Sequence, residues 1–175
     1  MLDKVTTGPD VPHELHVVIE IPANSKPVKY EVDKKTGVLF VDRFMTSCMR
    51  YPCDYGYIPK TLGEDGDPLD ALVISPYPLI SGSVIRVRPV GQLKMTDESG
   101  GDTKILMVPA SSVTPTYNLV QKPEDLSPLL LQQIEFFFLH YKELEVQKWV
   151  KIQGWGGVEE AKAEILASVA RYTED

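Results

Sequence analysis

The sequence predicts an α+β domain, a compact β-barrel with helices packed outside it. Three observations predict it. Short alternating apolar segments, bounded by Gly, Pro, Asn and Asp, succeed one another from Leu15 to Val108. Two stretches of helical period follow, one opening at Ser127-Pro128 and one at Val158. The 14 prolines are scattered, which points to many short elements joined by stiff turns and not to disorder. No repeat or linker divides the chain, so its 175 residues read as one domain, 1–175, with room for a sizeable core.

Each element has its own warrant. Leu15, Val17, Ile19 and Ile21 share one face of a first strand, with His16, Val18 and Glu20 on the other. After a Pro22–Pro27 turn, Val28, Tyr30 and Val32 alternate with Lys29 and Glu31. Taken alone, that Lys-Glu pair reads as a wet sheet face. Lys35-Thr36-Gly37 turns the chain into Val38–Val41, ending at Asp42-Arg43. Tyr51–Pro59 carries three tyrosines and two prolines and is extended and stiff. Its tyrosines suit either plain packing with wet hydroxyls or the placing of hydroxyls on an anionic ligand. Further strands are expected at Leu72–Ser75, Ser83–Val90, Leu93–Met95 and Ile105–Val108. Ser127 as N-cap and Pro128 as first helical residue open a helix to about Glu145, with Leu130, Ile134, Phe137, Tyr141 and Leu144 inward. Phe136 and Phe138 flank Phe137 too widely for that stripe, and a partner subunit is the preferred cover. Lys148–Ile152 reads as a short strand, Gly154–Gly157 as a turn, and Val158–Tyr172 as a helix with Ala161, Ile165, Val169 and Tyr172 inward.

Composition removes several classes of function. A net charge of −7 argues against a general nucleic-acid surface, which needs a basic field. No apolar run approaches a membrane span, and the N-terminus has no apolar signal region. Cys48 and Cys53 cannot make a four-cysteine zinc site, and no His pair stands at ligand spacing. Free thiols in a reducing cytoplasm are the economical account.

The chemistry is concentrated in Asp65-Gly66-Asp67-Pro68-Leu69-Asp70. Three carboxylates within six residues repel one another unless a hard cation neutralises them. Gly66 and Pro68 exclude a helix interior, and the apolar run after Pro68 suggests a loop clamped onto a buried strand. A solvated acidic turn is the plain alternative. An EF-hand loop is excluded, because its twelfth position would be Pro76. A second Gly-containing acidic loop, 96–104, answers the first. If the two converge, Asp65, Asp67, Asp70, Asp97 and Asp102 surround one cavity and need more than one divalent ion. Lys29, Arg43, Lys104 and Lys142, with Tyr55 and Tyr141, would suit a polyanion held between metals and basic side chains, the equipment of phosphoryl transfer. Neither a P-loop nor a Gly-x-Ser-x-Gly elbow is present, so attack by activated water is the economical mechanism.

Asp65-Gly66-Asp67-Pro68-Leu69-Asp70-Ala71 resembles the signature of the soluble family I inorganic pyrophosphatases. Val17–Asn24, Lys29-Tyr30-Glu31, Phe40–Met45, Tyr51–Tyr57, Leu93–Glu98 and His140-Tyr141-Lys142 are similar to the bacterial branch, and the likeness runs from about Val11 to Tyr172. The resemblance implies a five-stranded OB-like closed β-barrel with additional short strands and two main flanking helices. It implies hydrolysis of pyrophosphate to two orthophosphates with several Mg2+ ions, Mn2+ or Zn2+ being possible substitutes. Asp65, Asp70 and Asp102 would ligate activating metals that share a nucleophilic water or hydroxide, with Asp67 as its general base. Asp97 with Asp102 would hold further Mg2+, and Glu20 and Glu31 would support the metal shell. Lys29, Arg43, Lys104, Lys142, Tyr55 and Tyr141 would bind the phosphates. A homo-hexamer in the cytoplasm, with no nucleic-acid or membrane partner, is also implied. Two departures stand out: Gly101 where a bulkier or charged residue is expected, loosening the second loop, and Phe136 where some relatives carry His. Two other readings stay open, a hydrolase of nucleotide or longer polyphosphates and a non-enzymatic divalent-ion or oligonucleotide-binding barrel.

Overall fold

The computed structural model describes residues 1–173. Its strands are β1 (Leu15–Ile21), β2 (Val28–Val32), β3 (Leu39–Phe44), β4 (Asp54–Tyr57), β5 (Asp70–Val73), β6 (Val84–Asp97), β7 (Gly100–Gly101), β8 (Lys104–Pro109) and β9 (Val150–Gly156). Its α-helices are α1 (Pro128–His140) and α2 (Val158–Arg171).

Five strands close on themselves. β1 pairs with β4, β4 with β5, β5 runs parallel to β8, β8 pairs with β6, and β6 returns to β1. This ring is the expected OB-like barrel. β9 extends it along the far end of β6, while β2 and β3 form a separate hairpin.

β6 corrects the sequence reading, which divided it at Gly91. A bulge between Pro89 and Gly91 bends the strand without ending it. One long bent strand can then serve β1 with its first residues, β8 with its middle and β9 with its last. β9 is also longer than expected. Gly154, with φ +115°, sits at a bulge opposite Lys94 and Met95, so the glycines expected to turn the chain lie inside the strand.

The alternation of side chains divides the core in two. Leu72, Leu106 and Val108 face a cluster completed by Ile134, Phe137 and Phe138 of α1. Ala71, Val73, Ile105 and Met107 face a second cluster completed by Ala161 and Ile165 of α2. A small third cluster of Val18, Val32 and Tyr57, with Leu2 and Leu39 against it, seats the β2–β3 hairpin on the barrel.

α1 begins as expected, with Ser127 as N-cap and Pro128 as first residue, but ends five residues early at His140. Beyond it the chain is drawn into turns by polar contacts described below, and Leu144, expected inward, is 71% exposed. Phe138 needs no partner to cover it, being buried in the α1 cluster; Phe136, 60% exposed, remains outside. In α2 the third buried position is Ser168, whose hydroxyl is bonded to Glu164, while Val169 and Tyr172 are half-buried.

β4 approaches β1 so closely that a Cβ on Gly56 would stand 1.9 Å from the Val18 carbonyl oxygen. Gly56→Ala is therefore expected to lower the unfolding free energy by about 3 kcal/mol, the upper part of the ordinary overpacking range. Urea unfolding checks this. An unchanged midpoint would show that the β1–β4 pairing opens freely.

Candidate active site

The site begins where β5 and β8 begin. Their parallel pairing sets Asp70 beside Lys104, and antiparallel β4 sets Tyr57 opposite Asp70. Asp70 and Lys104 share the parity of Leu72 and Leu106, so they stand at the end of the α1 cluster. There Lys104 is 2% exposed. Its Nζ donates to Asp70 Oδ2 at 2.8 Å, to Asp102 Oδ1 at 3.1 Å and to the Tyr55 hydroxyl at 3.3 Å. Burial opposes charge on Lys104, but Asp102 and Asp70 outweigh it and hold the ammonium charged, far above its ordinary pKa. Burial pushes the Asp102 carboxyl up despite Lys104, and Asp70 adds repulsion.

The loop before Asp70 is fixed at both feet. Leu62 donates its N–H to Ser168 O at 3.0 Å and accepts from Arg171 Nε at 2.9 Å. Thr61 Oγ1 donates to Ile58 O at 2.6 Å and accepts from Leu69 N at 3.0 Å. Asp65 and Asp67 ride between these anchors, with the Asp67 N–H on Asp65 Oδ1 at 3.1 Å. Although the loop tip is exposed, the Asp65 carboxyl lies against the loop itself. Partial burial and repulsion from Asp102, Asp70 and Asp67 push it up to about 6, against the pull of the Asp67 N–H.

The second acidic loop is tied from the other side. Lys142 Nζ donates to Asp97 Oδ2 at 2.9 Å and to Glu98 Oε1 at 3.3 Å, while Lys148 pairs with Glu98 at 2.9 Å. Gly101 is paired with Thr96 in β7, and a Cβ there would meet Glu64 Oε2 at 2.6 Å. The Glu64 carboxylate thus fills the space where a bulkier residue would stand, bringing the two acidic loops into contact.

The β2–β3 hairpin forms the facing wall. Lys29 and Arg43 are paired across it, and Lys29 reaches Asp42 at 3.5 Å. Beneath it Glu20 accepts from Val32 N at 2.9 Å and from Lys34 Nζ at 3.1 Å. Burial pushes the Glu20 carboxyl up to about 6 even so.

All thirteen residues expected at the site line one cleft holding about 270 Å3 of water-accessible space. The supposed wet sheet face of Lys29 and Glu31 is a wall of that cleft. Sequence reasoning missed Lys34, Asp42, Tyr57, Glu98, Ser99 and Lys148, which also line it. Asp42, Tyr57 and Glu98 were detectable, since each lies within two residues of an expected one. Lys34 and Lys148 gave no such signal.

No three Asp, Glu, His or Cys side chains among the described residues gather on one point. Lysines occupy the space between carboxylates. The donor set nonetheless fits hard divalent cations: the lining offers nine carboxylates against six lysine and arginine side chains, all oxygen donors of the kind Mg2+ takes. Burial, with some repulsion from neighbouring carboxylates, has raised Glu20 and Asp65 to about 6, which a bound cation would relieve.

A small barrel thus carries two converging acidic loops and a facing cationic wall around one cleft. The profile of the family described as inorganic pyrophosphatase matches residues 17–173. The chain is 59% identical over 170 residues to an inorganic pyrophosphatase of Yersinia pestis, covering 97% of each. It is 58% identical over 167 residues to that of Escherichia coli K12, covering 95% of each. The solved inorganic pyrophosphatase of Coxiella burnetii has a TM-score of 0.93 at 49% identity, with 97% of this chain and 100% of that one covered. The enzyme from Helicobacter pylori has a TM-score of 0.88 at 44% identity, with 94% and 98% covered. The chain belongs to the inorganic pyrophosphatase family, in its bacterial branch, and its activity is the hydrolysis of inorganic pyrophosphate. The family is metal-dependent. Among the described residues no helix is long and apolar enough to cross a membrane.

Replacing Lys104 by Met would leave the buried Asp102 facing the half-buried Asp70 as an unneutralised pair of like charges. The expected loss of stability at pH 7 is about 3–5 kcal/mol in the metal-free protein. Burial already holds the Asp102 carboxyl above its ordinary range, and without Lys104 nothing would oppose that rise. Protonation on going to pH 5 favours the folded state, so the deficit relative to wild type should shrink there. Denaturant titration at the two pH values checks it. A deficit that grows on acidification would show that Lys104 does not neutralise this pair.

Proposed function

We propose that this pyrophosphatase works with several Mg2+ ions per site, with Mn2+ or Zn2+ as possible substitutes. Asp65, Asp70 and Asp102 would hold the activating ions, Asp97 with Asp102 a further one, and Glu20 and Glu31 would complete the shell. The observation carrying this reading is the meeting, in one cleft, of two separately anchored acidic loops with the cations of a facing hairpin. When bound, the ions polarise phosphoryl oxygens and acidify water.

The chain's own residues divide the remaining work. Asp67 is the general base. It sits between Asp65 and Asp70 at an exposed loop tip, and among the described residues its carboxylate has no hydrogen-bond or ion-pair partner, so it is free to take a proton. Lys29 and Arg43 from the hairpin, Lys142 and Tyr141 from the end of α1, and Lys104 and Tyr55 from the floor take up phosphate charge. Phe136, tilted against His140 at 4.4 Å between ring centres, and the exposed Leu129 and Leu139 support assembly through α1 into a hexamer. We place that hexamer in the cytoplasm, where Cys48 and Cys53 remain thiols.

Orthophosphate release from pyrophosphate with Mg2+ should be rapid, stop with EDTA, and exceed release from triphosphate or ATP under the same conditions. Equal rates on all three would favour a general polyphosphate hydrolase. Ca2+, which is larger and tolerates irregular coordination, should inhibit the Mg2+ enzyme; full activity with Ca2+ alone would remove the narrow geometry assumed here.

Asp67→Asn should keep the fold and metal binding while turnover falls by roughly 10²-fold or more, the usual contribution of a positioned base. Steady-state kinetics and metal titration check it. Rates like those of the wild type would take Asp67 out of the base role.

A further inference from the structure

The turns between α1 and β9 send two side chains in opposite directions. Lys142 reaches the second acidic loop at Asp97 and Glu98. Glu145, whose backbone N–H donates to Lys142 O at 3.0 Å, reaches the hairpin, where its Oε1 accepts from Arg43 Nη1 at 2.8 Å. One tight turn therefore ties both the second acidic loop and the cationic hairpin wall of the cleft. Arg43 is paired with Lys29 across the hairpin, so the anchor on Arg43 bears on both cations of that wall.

Glu145 does not itself line the cleft and is largely buried behind Arg43. Its contact with the guanidinium is single-point. Glu145 Oε2 and Arg43 Nε are both buried without a hydrogen-bond partner. A buried carboxylate with an orphaned oxygen is a poor device for stability alone. It is a better device for placement, because one held N–H fixes where Nη1 lies and leaves the remaining guanidinium donors for another anion.

We propose that Glu145 is a positioning residue for substrate binding. It orients Arg43 towards the phosphate and fixes the distance between the hairpin cations and Lys142. The proposal rests on the reading of Arg43 as a phosphate-binding residue, and the test separates the two.

The test is steady-state pyrophosphate kinetics with Mg2+ on the intact enzyme, with thermal unfolding of each variant. Glu145→Ala removes the anchor and should raise KM roughly tenfold, the low end for one charge-assisted hydrogen bond, with kcat changed by less than about twofold. Glu145→Gln keeps an oxygen that accepts from Nη1 and should recover most of the loss. If the Ala variant does not fold, Glu145→Asp withdraws the carboxylate by one methylene and should raise KM in the same way. An unchanged KM, with activity following only the folded fraction, would reduce Glu145 to a structural residue. A lower KM in both the Ala and Gln variants would mean that Glu145 restrains Arg43 by charge, and would overturn the proposal. Arg43→Gln is the control. If it leaves KM unchanged, Arg43 is not a phosphate contact and the underlying reading fails. If it raises KM while Glu145→Ala does not, the positioning inference alone fails.

Discussion

At the shared end of β5 and β8 the chain must hold Asp70 and Asp102 side by side, beneath a loop that adds Asp65 and Asp67. The ammonium of Lys104 makes that possible. A buried lysine is costly by itself, and so is each buried carboxylate; together they are tolerable because each hydrogen bond is charge-assisted. The parallel register that places Lys104 beside Asp70 is set in turn by Leu72, Leu106 and their neighbours, whose burial lines up the two strands. Hydrophobic packing thus dictates which charges meet.

The rest of the cleft is assembled by anchors from outside the barrel. α2 holds the foot of the first acidic loop through Ser168 and Arg171. The turns after α1 hold the second loop through Lys142 and Lys148. The hairpin is seated by a small apolar cluster and by Glu20 beneath Val32. Neither acidic loop could keep its carboxylates close by its own backbone preferences. Each depends on an element distant in sequence.

Alternation and capping were legible in the sequence because they are local. The strands, the Ser127 cap and the apolar stripe of α2 follow from periods of two and 3.6 and from one hydroxyl. The early end of α1 was not legible, since Leu144 continues the helical period. What ends the helix is the pull of Lys142 towards Asp97 and of Glu145 towards Arg43, contacts 45 and 102 residues apart. β6 was misread for a related reason: Gly91 signals a break locally, while pairing with β1, β8 and β9 carries the strand through. In the site, the acidic loops announced themselves by composition, and the motif resemblance supplied the roles. Lys34 and Lys148 stayed hidden because a single surface-type lysine has no local mark; only the folded chain sets it beside Glu20 or Glu98.

The cleft's cations are, in this arrangement, mostly spoken for. Lys104, Lys142, Lys148, Lys34 and Arg43 each sit within 3.3 Å of a carboxylate. With carboxylates outnumbering cations, an unaccompanied pyrophosphate would meet net negative charge. On the proposed reading both difficulties have one solution. Divalent cations held by these carboxylates would offset the negative charge and would leave the lysines available to phosphate oxygens. Arg43 is the exception, because its partner Glu145 lies outside the cleft, away from the carboxylates expected to take cations. Its pairing would not compete with those cations, which leaves one fixed point on the hairpin.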